Sequence, residues 1–282
     1  MTWDVMGRVT SGAYVGAMAT PRTSAGELLK QWRLRRRFSQ LDLATRAEVS
    51  TRHLSFVETG RAKPSPEMID HLAEHLAVPL RERNQILLAA GYAPRYTQQS
   101  LDDPGMEAVS HAVDLVLGAH PYPAIVVDRY WNLLRANAAA NLFLVGIDEE
   151  LLQPPMNVMR ISLHPGGLAP RATNFAEYAE HLVLRLREQV DATADAVLAD
   201  LLDEVLGYVG PSVAQAHGFA GVVMPLAITT PEGEVRMFST LALIGSPRDV
   251  TTDELTIEAF YPADAESRER LERLTAPALS AR

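Results

Sequence analysis

The stretch SQLDLATRAEVSTRHLSFVETGRAKPS, from Ser39 to Ser65, constrains this chain more than any other, because it reads as a helix, a tight turn, a second helix and a basic loop. Ser39 is placed to cap the first helix, with Asp42 three residues on in a capping-box position, and Leu41, Leu43, Ala44 and Ala47 supply an apolar side. Glu48 and Val49 form the turn. Ser50 caps the next helix, in which Leu54 and Val57 recur three apart and face inward, so that Thr51, Arg52 and Ser55 face out. Ahead lies GELLKQWRLRRR, a helix with Leu28 and Trp32 four apart. Behind, Ser65 as cap and Pro66 at the first helical position open the helix PEMIDHLAEHLAV, and a fifth helix runs from Leu80 to about Ala90 and ends at Gly91.

Charge is divided along the chain. Residues 24–95 carry 12 Lys or Arg and 8 Asp or Glu, a net of +4, whereas residues 96–282 carry 12 and 26, a net of −14. A basic head of this kind can approach phosphate while the acidic body stays off a polyanion and keeps the chain soluble. The polar segment YAPRYTQQSLDDPGM, with two prolines and a glycine, reads as a break between them. The expected organisation is a mobile arm over 1–23, an all-α domain of five helices over 24–95, a linker over 96–110 and a second domain over 111–282.

With no cysteine, the chain has no disulfides, thiolate zinc sites or cysteine nucleophiles, which is consistent with a cytoplasmic protein. No apolar run approaches the ~20 residues that span a bilayer. Residues 1–23 include Asp4, Arg8 and Arg22 and lack a compact apolar core, so no signal peptide is expected.

The head resembles the helix-turn-helix domain of the XRE (Cro and phage-repressor-like) family. Its pattern is matched in order by Ser39-Gln40, Leu43-Ala44, Ala47, Val49-Ser50, Leu54-Ser55, Glu58, Gly60-Arg61 and Pro64-Ser65. The resemblance implies a double-stranded DNA partner and a homodimer. By it, Gln40 opens the helix that crosses the backbone, Thr51, Arg52 and Ser55 lie on the base-reading face, and Arg61 and Lys63 sit in a phosphate-contacting loop. A long cation such as Arg52 near the start of an outward-facing helix suits guanine N7 and O6. Arg33 and Glu58 match a pair that joins the first and third helices in relatives, so both are expected to be structural. Arg35, Arg36 and Arg37 have two readings, a solvated charged run or phosphate contacts. The family often has glycine where this chain has Glu48, so a left-handed turn there would strain the backbone by roughly 1–2 kcal/mol.

Beyond the break the pattern is mixed. HAVDLVLGAH reads as a helix, PAIVVDRYWNLLRAN as two β-rich runs, AAANLFLVG as helix again, and residues 175–206 as largely helical with Tyr178, Leu182 and Leu186 on one stripe. GVVMPLAITTPEGEVRMFSTLALIGS reads as two strands joined at Pro231-Glu232-Gly233, LTIEAFYP as a third, and DAESRERLERL as a closing helix. Helices on a small antiparallel sheet make an α+β domain. This half resembles the ligand-binding domain of MmyB-like transcription regulators, on the cues PAIVVDRYWNLLRAN with Trp131 and Asn137, NVMR around Asn157 and Arg160, LHPGGLAPR, and FYP at Phe260 to Pro262. The resemblance implies a PAS-like fold and a cavity between sheet and helices for a small, largely apolar ligand, with fatty acids a plausible class. Ile125, Val127, Phe143, Tyr178, Leu182, Met224, Phe238 and Phe260 are then candidates for its lining, although core packing is the commoner role of such residues, and Arg160 or His164 could receive a carboxylate head.

The sequence offers two rival readings. HLAEH, His71 to His75, fits the H-x-x-E-H pattern of zinc peptidases, but its helix needs Ile69, Leu72 and Leu76 for the core, which leaves His71, Glu74 and His75 on the polar face with no third ligand. With no P-loop, dinucleotide fingerprint or nucleophile elbow either, neither an enzyme nor a cofactor or metal is expected. The other rival keeps DNA binding but gives the second domain no effector, only dimerisation or the docking of a protein partner.

Overall fold

Every serine placed as a cap in the N-terminal third starts a helix. The computed structural model describes residues 23–214, 225–243 and 249–279, and opens with α1 (Ala25–Arg35), α2 (Gln40–Arg46), α3 (Thr51–Glu58), α4 (Pro66–His75) and α5 (Leu80–Ala89). The hydroxyls of Ser24, Ser39, Ser50 and Ser65 accept from the backbone N–H of Glu27, Asp42, His53 and Met68, and Asp42 completes a capping box on α2. Each such cap contributes about 1 kcal/mol. Leu29, Trp32, Leu43, Leu54, Val57, Ile69, Leu72, Leu76, Ile86 and Leu87 form one core. α1 meets α3 at backbone distance: a Cβ on Gly26 would lie 2.0 Å from the Val57 carbonyl oxygen.

Two details of the sequence reading change, and a third is met. Leu41 does not join the apolar side of α2; it is 65% exposed, because Leu43, Ala44 and Ala47 already fill the face turned to the core. Glu48 does adopt the left-handed conformation, at φ +51°. Of the arginine run, Arg36 caps another helix: its Nε donates to the Leu76 carbonyl at 2.8 Å and its Nη2 to that of Ala77 at 2.9 Å, closing the C-terminus of α4.

The second fold begins with α6 (Glu107–Ala119), β1 (Ala124–Val127) and β2 (Leu133–Ala136). AAANLFL, read as helix, is a 3-10 helix over Ala138–Leu144. There follow α7 (Val158–Leu163), α8 (Phe175–Thr193), α9 (Ala196–Leu206), α10 (Pro211–Ala214), β3 (Pro225–Thr230), β4 (Gly233–Leu243), α11 (Val250–Glu254), β5 (Thr256–Pro262) and α12 (Ala265–Leu279). The strands form one antiparallel sheet in the order β2-β1-β5-β4-β3. Strand alternation gives the sheet two faces. Ala124, Val126 and Ile257 pack on one side with Val113 and Leu117 of α6, while Ile125, Val127, Val235, Met237 and Phe260 pack on the other with Tyr178, Leu182 and Leu186 of α8 and Leu198 and Leu201 of α9.

Contacts sort the described residues into two units whose membership is not continuous in sequence: 249–253 group with the N-terminal residues up to 100. In that unit Val250 N–H donates to the Thr97 carbonyl at 2.8 Å, Thr251 Oγ1 to that of Gln99 at 2.6 Å, and Leu80 N–H to Asp253 Oδ2 at 3.2 Å. Within 96–110, read as linker, Leu101 and Met106 are buried beside α6 in the other unit. The arm 1–23 and Met224 lie outside the described residues, apart from Thr23 itself.

Candidate functional site

The candidate nucleic-acid face is built on the start of α3. Thr51, Arg52 and His53 follow the Ser50 cap and are exposed, Ser55 is half-buried, and Leu54 and Val57 anchor the helix from behind. Phe56, which the sequence reading passed over, stands between two of the candidate cations: the Arg52 guanidinium lies 5.3 Å and that of Arg61 6.0 Å from its ring centre. The four-residue spacing of Arg52 and Phe56 was the available signal. Lys63 is held in the same manner, its Nζ 4.5 Å from the Tyr92 ring centre, while the Tyr92 hydroxyl donates to the Pro64 carbonyl at 3.2 Å.

Behind this face lies a buried ionic knot. Arg33 Nε and Nη2 donate to the Glu58 carboxylate at 2.6 and 2.9 Å, Arg33 Nη1 donates to the Phe38 carbonyl at 2.7 Å, and Gln40 Nε2 donates to Glu58 Oε2 at 2.8 Å. Gln40 is therefore oriented by the pair that joins α1 to α3. His71 Nε2 is 2.7 Å from the Ala47 carbonyl oxygen and its ring packs edge-on against His75, and no group of three metal-ligating side chains occurs among the described residues.

The second site is a cavity of about 50 Å³ on the inner face of the sheet. One water needs ~10–15 Å³ by the same kind of measure, so the space admits several heavy atoms. Of the sequence candidates, Ile125, Phe143, Tyr178, Leu182 and Phe260 line it. Trp131, Leu133, Met159, Ile161 and Leu168 complete most of the apolar wall, and Ser162 and Glu258 are polar members. Val127 packs in the same core without lining the space. Phe238 lies elsewhere, stacked on Tyr261 at 5.5 Å, because Val235 and Met237 take the inward parity of β4 and leave Phe238 on the other.

Arg160 and His164 are also not at the cavity. Arg160 Nε and Nη2 each donate to Glu204 at 2.7 Å, and this pairing holds the Glu204 carboxyl below its ordinary range. His164 Nδ1 accepts from Gly166 N–H at 2.9 Å and its ring packs on Tyr208 at 4.7 Å. His164 serves the turn that LHPGGLAPR makes, where a Cβ on Gly167 would lie 2.1 Å from the Ile161 carbonyl oxygen.

Trp131 is pushed into the cavity wall by its backbone. The Asp128 carboxylate accepts from the N–H groups of Tyr130 and Asn132, at 2.8 and 2.9 Å, and closes a loop in which Trp131 has φ +67°, a strained conformation for a bulky residue. Its indole N–H donates to Gln189 at 2.8 Å. Asn157 and Asn137, two other cues of the resemblance, are satisfied structural knots: Asn157 joins the Tyr130 carbonyl to the start of α7, and Asn137 joins α6, β1 and the following 3-10 helix. Glu258 was missed in the sequence. Its signal was parity: in TIEAF it shares the face of Phe260, where an apolar residue is expected.

A helix-turn-helix head followed by a ligand-binding domain makes this protein a transcription regulator. Residues 24–86 match the helix-turn-helix domain family, and residues 109–274, more than half of the chain, match the MmyB-like transcription regulator ligand binding domain. The chain belongs to that MmyB-like family. Among curated proteins no match was found.

Proposed function

We propose that this regulator binds double-stranded DNA sequence-specifically as a homodimer, and that its C-terminal domain senses a small, mostly apolar ligand in the cavity under the sheet. The ligand-binding reading is carried by one observation: the space lies within the family-matched domain and is walled almost wholly by apolar and aromatic side chains. A sheet crossed by helices with a cavity between them also supports the PAS-like reading. On the DNA side, Thr51, Arg52 and Ser55 read bases, Gln40, Arg61 and Lys63 hold phosphates, and the two heads of the dimer meet half-sites about one helical turn apart. The protein works in the cytoplasm and catalyses no reaction; among the described residues no helix is long and apolar enough to cross a membrane.

The test is native mass spectrometry of protein purified from its host, followed by operator affinity with and without the molecule found. Fatty acids are the first class to screen. A carried apolar molecule that shifts operator affinity is the expected result. Ligand-free protein whose melting temperature responds to no apolar metabolite would leave the C-terminal domain as a dimerisation module only.

A further inference from the structure

One short helix belongs to both units of the chain. The boundary falls inside α11: residues up to Asp253 group with the N-terminal unit, and residues from Glu254 group with the C-terminal one. In the N-terminal unit, α5 has Pro79 at its N-cap position and so no side-chain cap of its own. Its first amide is satisfied from far along the chain, since Asp253 Oδ2 accepts from Leu80 N–H at 3.2 Å and sets a negative charge at the positive end of the helix. In the same unit Val250 N–H and Thr251 Oγ1 donate to the carbonyls of Thr97 and Gln99 and hold α11 in place. In the C-terminal unit, Glu254 accepts from Arg129 Nη1 at 2.8 Å, and Arg129 Nη2 donates to Asp195, the cap of α9, at 2.8 Å. The Arg129 carbonyl accepts from Gln189 Nε2 of α8 at 2.7 Å, and the Gln189 amide oxygen receives the Trp131 indole N–H. Arg129 therefore ties the loop over residues 128–132 to α8, α9 and α11 together.

We propose that α11 couples the two units, so that a displacement of the loop over 128–132 reaches the N-terminus of α5, and with it the reading helix, through Glu254 and Asp253. The two carboxylates stand on consecutive residues, whose Cα atoms are ~3.8 Å apart, and no linker lies between them to absorb a shift. Slack is also lacking after Glu254, where Leu255 is fully buried with Val126 and Ile257, and Thr256 is paired with Val127. On the other side, Ile86 and Leu87 of α5 share one core with Leu29 and Trp32 of α1, and Arg33 bonds α1 to Glu58 of the reading helix. Packed side chains and charged hydrogen bonds of this kind carry coupling between sites, and a double-mutant cycle measures it. The inference rests on the DNA-binding reading for its effect and is independent of what fills the cavity.

The experiment follows amide hydrogen exchange by mass spectrometry in the full-length protein, on peptides covering the start of α5, for the wild type, Arg129→Lys, Asp253→Ala and the double variant. Arg129→Lys keeps the charge but gives up the planar fork that grips Asp195 and Glu254 at once. Asp253→Ala should speed exchange at the start of α5 about fivefold, the usual worth of one helix cap. Arg129→Lys should speed the same amides about threefold, and should add nothing once Asp253 is already Ala, since residues that act through one another are not additive. An Arg129→Lys protein that exchanges there at the wild-type rate, or a double variant showing the full product of the two effects, would overturn the coupling. Should Arg129→Lys not fold, Glu254→Gln takes its place with the same expectations. Each single variant should also weaken binding to a duplex selected from a random-sequence pool by about threefold. Unchanged binding would confine the effect to α5 and overturn its reach to the reading helix. If no duplex could be selected, the DNA-binding reading itself would fall, while the exchange cycle would still decide whether α11 couples the units.

Discussion

Arg52, Arg61 and Lys63 all rest a cation on an aromatic ring, yet their places on the head divide the roles proposed for them. Arg52 is on the exposed start of α3, where a guanidinium can reach a base edge; Arg61 and Lys63 follow the helix, where only phosphate is expected. Arg52→Ala should cost about 1–3 kcal/mol on the cognate operator and blunt discrimination at one position. Arg61→Ala or Lys63→Ala should weaken all sequences alike and flatten the slope of log K against log salt by about one unit each. Operator titrations over a range of salt separate the two outcomes, and an Arg52→Ala protein of unchanged selectivity would remove that residue from the reading face. At Glu48 the issue is backbone strain. The left-handed conformation costs a non-glycine residue roughly 1–2 kcal/mol. Glycine relieves it while making the unfolded chain more flexible, by about 0.4–1 kcal/mol. Glu48→Gly should therefore stabilise the head by about 0.5–1 kcal/mol, a rise of a few degrees in its melting temperature.

At the scale of elements, the separation of α1 and α3 is set by Gly26 and locked by the Arg33–Glu58 pair. Because the nearest atoms to a Cβ at Gly26 belong to the backbone of α3 and not to a flexible side chain, Gly26→Ala has to push the reading helix outward. It should lower the stability of the head by about 1–3 kcal/mol, as overpacking does, and weaken operator binding as well. Chemical denaturation and operator titration of the one variant check both, and a variant with native stability and affinity would mean that the two helices can part without consequence. In the sheet, the inward sides of β1 and β5 place Ile125, Glu258 and Phe260 on one wall, and the loop held by Asp128 swings Trp131 onto another. The cavity is thus made by strand parity and one strained loop together.

For the whole molecule, the charge division between a basic head and an acidic remainder favours confining the proposed phosphate contact to the first hundred residues. If the proposed ligand and DNA are coupled, linkage requires the coupling to be mutual: a ligand that changes operator affinity by roughly 1–3 kcal/mol must have its own affinity changed by the same factor when operator is present. Calorimetry of the ligand with and without saturating operator should return the two equal shifts. Unequal shifts would show that the effect on DNA arises outside the described equilibrium, for example from aggregation.

The amino-acid sequence by itself determined the capped starts of α2, α3 and α4, the turn at Glu48, the strands and the inward face of residues such as Ile125 and Phe260, because caps, turn residues and hydrophobic periods act over a few positions. It therefore placed Thr51, Arg52 and Ser55 on an outward face and Ile125, Tyr178 and Phe260 on an inward one. The meaning of a charged side chain depends instead on which distant groups come within about 3 Å of it, and that is fixed only when register and helix packing are complete. Pairing across 133 residues set Glu258 against Ile125 and so beside the cavity. Folding across 44 residues joined Arg160 to Glu204, away from it. Two charged residues, one expected at the ligand and one unnoticed, exchanged places for that reason.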